Sequence, residues 1–246
     1  MRNAWIIASK DIREAFRSRT TYLYIIVLVF VAFSIFNGLS LTLKSLSQQA
    51  VDKAALVNAA QTALGVMIST IPLVFNMLFS SFLSNYAVVT YKTKRVLESL
   101  LATPMSLYDV WFGKSLAITM SSVLISFGLS VIALVLMNTF FVVPLVGSFV
   151  WPPVSSMITG WVLVPIISIL VTLAVTLFQL ILSNPRVANF AFMLIFLGVF
   201  IIPTVAVLRS LNIEMIYLLL ISGLVVLDLI LSRFLTKERV VLSSKG

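Results

Sequence analysis

The chain alternates long apolar runs with short charged segments, and two of the longest runs frame its most distinctive stretch. No residue between Ala54 and Tyr91 is charged, and none between Ser115 and Pro185. A bilayer accepts such runs, whereas a Lys, Arg or Asp at its centre costs about 2.5–3.5 kcal/mol on insertion scales. The segment Tyr91–Lys114 carries Lys94, Arg95 and Glu98 and therefore sits in water at a membrane surface. A transmembrane helix needs about 20 apolar residues to cross about 30 Å of hydrocarbon. Six spans are predicted on that measure, over residues 20–43, 63–89, 114–137, 158–182, 188–208 and 215–232. The first is too long for the apolar region of a signal peptide and no small-residue cleavage site follows it, so it is expected to stay in the mature protein.

The segments between these spans have their own patterns. Residues 44–62 are polar and Ala-rich, which predicts a helix at the membrane surface. Pro72 predicts a kink in the second span. Residues 138–157 are apolar but interrupted by Pro144, Gly147, Pro152 and Pro153. So many breakers argue against a straight crossing and predict a hairpin or short re-entrant element capping the outer face. The run Ser-Asn-Pro-Arg-Val at 183–187 predicts a tight turn, and 233–246 a basic tail.

Composition agrees with the pattern. The 246 residues are 61% hydrophobic and 10% charged, with mean hydropathy +1.14. A soluble domain has about 25% charged residues, so the chain is expected to be an all-α integral membrane protein with a single transmembrane domain in the cell membrane. Charge then sets orientation. Fourteen of the 17 Lys and Arg fall in one set of segments: 1–19, the 90–113 loop with Lys114, Arg186 and the tail. Only Lys44, Lys53 and Arg209 fall in the opposite set. The positive-inside rule places both termini and the charged loop in the cytoplasm. The net charge of +9 is thus spread over juxtamembrane segments, where it attracts anionic membrane lipid; no nucleic-acid partner is expected.

Absent residue types exclude whole chemistries. With no Cys and no His, the chain offers no disulfide, Cys/His zinc site, catalytic triad or HExxH site. An enzyme is not expected, and no metal site is.

Residues 1–19 predict an amphipathic helix. Lys10, Arg13, Glu14 and Arg17 recur at helical spacing, while Trp5, Ala8, Ile12 and Phe16 line another face. Such a helix lies flat in the inner interface, either as a topology anchor or as a surface for a cytoplasmic partner. In the charged loop, Thr93–Ala102 predicts a short helix with Leu97, Leu100 and Leu101 on one side and Lys94, Arg95 and Glu98 on another. Pro104 ends it, and Ser106 with Asp109 reads as the cap of a new helix. Within the spans, Asp228 is the one well-embedded acid, one to two turns from the cytoplasmic end, where Arg233 can snorkel towards it. It reads as a structural or interfacial carboxylate, or as a group for proton coupling or substrate contact. Asn37, Asn76, Gln179 and Asn189 are candidates for the bundle interior, with interhelical hydrogen bonding as their plainer role.

The string Lys94–Lys114 resembles the loop between the second and third spans of ABC type-2 permeases, the membrane subunits of a large exporter class. Leu97-Glu98, Leu100-Leu101, Thr103-Pro104, Ser106 and Gly113-Lys114 carry the resemblance. Val96 stands where Thr is common, and Tyr91 and Thr93 where acids are frequent. The resemblance implies that this loop holds a coupling helix docking into a separate ATPase subunit. Glu98 would be the docking carboxylate, Lys94 and Arg95 its flanking charges, Leu97, Leu100 and Leu101 its seat on the bundle, and Pro104 its turn. It also implies an N-terminal interface helix, here with Lys10, Asp11, Arg13 and Arg17. Two ATPase copies and a second permease chain, the same or related, would complete the assembly, with ATP and Mg bound in the ATPase subunits. This chain itself is expected to bind neither: Gly113-Lys114-Ser115 matches only the end of a Walker A motif, and Tyr108 stands where its first glycine belongs. Two other readings stay open, an ion-coupled secondary transporter or channel using Asp228, and a non-transporting membrane scaffold.

Overall fold

The computed structural model describes residues 2–49, 52–85, 106–182, 184, 187, 190, 191, 193–199, 201, 213–236 and 240. The described residues are helical almost throughout and contain no strand. Among the described residues the principal helices are α1 (Arg2–Arg17), α2 (Arg19–Gln49), α3 (Lys53–Ser84), α4 (Leu107–Val146), α5 (Val154–Ile181) and α6 (Ile213–Ser232). Helices α2 to α6 are each long and apolar enough to cross a membrane. Of the predicted fifth span, residues 190, 191, 193–199 and 201 are described and helical; the rest lies outside the described residues.

Several helices outrun their expected limits. Of the polar stretch 44–62, residues 44–49 and 53–62 are helical and belong to the ends of α2 and α3. Helix α4 starts at Leu107 and passes Met137 through a π-helical turn, Asn138–Val142, into Val143–Val146. The segment 138–157, read from its breakers as a hairpin or re-entrant element, is therefore helical to Val146 and again from Val154. Pro144 is accommodated because it falls in the first turn of the last helical segment, where a missing N–H is tolerated. Gly147, at φ 86°, takes the left-handed conformation that closes the helix, its N–H bonding Val143 O at 2.8 Å. Pro153 then precedes α5, which carries its own π-helical turn at Thr159–Leu163.

The chain divides into two compact units. One comprises Met1–Ser18, Met77–Ser122 and Ile166–Gly246. Its apolar cluster joins Leu107, Leu177, Leu180, Leu235 and Val240, with Trp111, Ile181 and Leu231 packed against it. The Trp111 indole donates to Leu173 O at 3.1 Å, and Tyr108 donates to Ser232 O at 3.3 Å. The start of α4 is thereby tied to both α5 and α6.

The other unit comprises Arg19–Asn76 and Val123–Pro165. Pro72 removes the N–H that would have bonded the carbonyl of Ile68. Gly160, inside the π-helical turn of α5, lies against that same carbonyl, so closely that a Cβ would overlap it. A Cα–H of Gly160 thus occupies the place of the missing donor. At the α4–α5 connection, Asn138 donates to Leu134 O and accepts Val150 N–H at 3.0 Å, fixing the turn from inside. Trp161 donates to Ser130 Oγ at 3.1 Å and stacks edge-on with Phe127.

Candidate functional site

The residues with the most chemistry gather where α1 meets the start of α4. Ser106 caps α4: its Oγ accepts the Asp109 N–H at 3.0 Å and donates to the Asp109 carboxylate at 2.8 Å. The hydroxyl thus fills one orphan donor of the first turn and orients the acid at the positive end of the helix. Two turns on, Gly113 admits the backbone of α1, and a Cβ there would stand 2.7 Å from the carbonyl oxygen of Ala4. The next residue, Lys114, is completely buried, and its Nζ donates to Asp11 Oδ2 at 3.0 Å. Removing one partner of a buried pair leaves an uncompensated charge and costs about 3–5 kcal/mol. The pair fixes α1 in one register on α4.

Helix α1 is three-sided. Ala4, Ala8, Asp11 and Ala15 recur at i, i+4, i+7 and i+11 and are buried, joined by Ile7. Trp5, Ser9, Ile12 and Phe16 make a second stripe, with Trp5 exposed and Ile12 and Phe16 half-buried. Ile6, Lys10, Arg13 and Arg17 make a third, fully exposed. Ala8, grouped in the sequence with Trp5, Ile12 and Phe16, lies instead in the buried stripe, which is made mostly of alanines, while Trp5, Ile12 and Phe16 share a separate, outward side. Alanines let the α1 backbone approach Gly113, which a stripe containing Trp5 would prevent.

Farther along, a polar seam links helices of the same unit. Ser115 and Thr176 share a hydrogen bond of 2.6 Å. Gln179 accepts from Ser84 at 2.5 Å and donates to Asn85 at 3.3 Å, so it bridges α5 to the end of α3 from within the bundle. Asn76 is fully buried, and its amide has no hydrogen-bond partner among the described residues. Asn37, in contrast, is exposed on α2, where Thr21, Leu28 and Ser40 are the buried positions among the described residues. Asn189 lies outside the described residues. Asp228 is only 8% exposed, in the inward stripe of α6 between Leu224 and Leu231, and neither carboxylate oxygen has a partner among the described residues. Arg233 is exposed and forms no ion pair with it.

The predicted docking residues Lys94, Arg95, Leu97, Glu98, Leu101 and Pro104 lie outside the described residues. Of the N-terminal set, Asp11 turns inward to Lys114, while Lys10, Arg13 and Arg17 face outward, Lys10 paired with Glu14 at 3.8 Å. Sequence reasoning missed the role of Lys114 as Asp11's partner. The available signal was an acid set among alanines at helical spacing. No group of three or more potential metal ligands occurs among the described residues.

Fold and site together define an all-helical, multi-pass membrane protein with a short N-terminal helix bolted to one of its long helices. Beyond that class, no protein-family model, curated protein or solved structure matches the chain.

Proposed function

We propose that the chain is the membrane-spanning permease subunit of an ATP-driven ABC transporter of the exporter class, working as a pair above two ATPase subunits. The observation that carries this reading is the junction at Gly113-Lys114. These two residues close the string that resembles the ABC type-2 loop, and they are the two that seat and lock the N-terminal helix. A loop that enters a capped, cross-braced helix can pass a rigid-body push into the bundle. Glu98 is the docking carboxylate in this reading, flanked by Lys94 and Arg95. ATP and Mg belong to the partner.

The test is affinity purification from the native membrane in mild detergent, wild type beside Glu98→Lys. A Walker-containing ATPase that accompanies the wild type and is lost from the variant is the expected result. Its absence from folded wild-type protein would sink the proposal. The unpartnered carboxylate of Asp228 favours a second reading, an ion-coupled transporter. In that case Asp228→Asn abolishes flux while Glu98→Lys leaves it intact.

A further inference from the structure

The outward sides of α1 are built for a ligand that is apolar on one flank and anionic on the other. Trp5, Ile12 and Phe16 form the apolar flank and Lys10, Arg13 and Arg17 the basic one, with the third side consumed by the bundle. Arg13 and Arg17 make no ion pair among the described residues. Ser18 alone separates α1 from the start of α2, a helix apolar enough to span a bilayer, and the end of such a span is the depth at which the sequence reading expects α1 to lie. Headgroup phosphates lie at that depth beside the acyl boundary, the two environments these flanks match.

We propose that α1 carries a binding site for anionic inner-leaflet lipid, with Arg13 and Arg17 on the headgroup and Trp5 and Phe16 against the acyl chains. The Asp11–Lys114 pair gives this site a consequence. Because the inward side of α1 is fixed to α4 by a buried ion pair and by the close approach of Ala4 to Gly113, a lipid that shifts α1 also loads the first turns of α4. Anionic lipid therefore acts as a positive effector of coupling. This second half rests on the permease reading; the lipid contact stands without it.

The protein is reconstituted in phosphatidylcholine vesicles with and without phosphatidylglycerol, re-extracted, and its retained lipid read by native mass spectrometry. Wild type is expected to retain phosphatidylglycerol selectively. Arg13→Gln/Arg17→Gln, which alters only exposed positions, is expected to weaken retention by about fivefold per arginine removed. Bromine-labelled lipid should quench the part of the emission that Trp5→Phe removes. Retention without headgroup preference, or unchanged retention in the double variant, overturns the site. Loss of a bound ATPase from that variant with lipid retention intact assigns the basic flank to a protein instead. For the second half, Asp11→Asn/Lys114→Met should keep its phosphatidylglycerol while the lipid no longer raises the partner's ATPase rate. If lipid is retained but no ATPase partner exists, the permease reading fails, the coupling half falls with it, and the lipid site remains.

Discussion

Two glycines of this protein stand in opposite surroundings. At Gly160, a side chain would collide with a carbonyl that Pro72 has left without its helical donor. Gly160→Ala is expected to destabilise by about 1–3 kcal/mol, the usual range for overpacking a tight site. Gly223, in the middle of α6, has nothing within 4 Å of where its Cβ would go. Gly223→Ala should therefore be neutral or stabilise by about 0.5–1 kcal/mol through backbone entropy. Thermal unfolding of the two variants in the same detergent decides it, and equal midpoints would remove the steric account of Gly160. Neither assignment is visible along the chain, because Gly160's neighbour is a freed carbonyl ninety-two positions earlier.

Helices α1 and α4 are coupled elements. Lys114→Met takes away the buried ammonium that donates to Asp11 and is expected to cost about 3–5 kcal/mol, whereas Asp11→Asn/Lys114→Met should cost markedly less because both charges of the buried pair are gone. Urea or thermal unfolding of single and double variants checks this, and a double variant as unstable as the sum of its parts would refute the pairing. The helices themselves were largely legible in the sequence. A bilayer penalises every charge in its core, so the uncharged runs disclose where α3, α4 and α5 lie. The cap at Ser106 was legible too, since hydroxyl and acid stand three residues apart and interact locally. The limits of α4 were not, because Pro144 breaks a helix only where its missing N–H is needed, and the preceding π-helical turn places it in a first turn. The Asp11–Lys114 pair escaped because nothing local signals a contact across 103 positions. For α1 the basic and aromatic faces are legible along the chain, whereas the alanine side that meets Gly113 is not, because alanine alone does not distinguish a packed side from an exposed one.

For the whole molecule, the helices differ in how much they bury. The apolar windows of α3 and α5 are 61% and 56% buried, those of α2 and α6 only 12% and 17%. The first pair forms interior and the second presents surface to its surroundings. Orientation rests on the charge bias and is directly measurable, because the chain has no native cysteine. Ser148→Cys, in the exposed turn after Gly147, should react with a membrane-impermeant thiol reagent on intact cells. Glu14→Cys, exposed on the polar side of α1, should react only after permeabilisation. The reverse pattern, or labelling of both from one side, would invert or abolish the predicted topology. The start of α4 has a mechanical meaning. From Ser106 to Lys114, about 12 Å of helix at 1.5 Å per residue, stand the cap, the glycine that admits α1 and the lysine that locks it. A push on α1 therefore finds no slack at this joint and is delivered directly into the opening turns of α4.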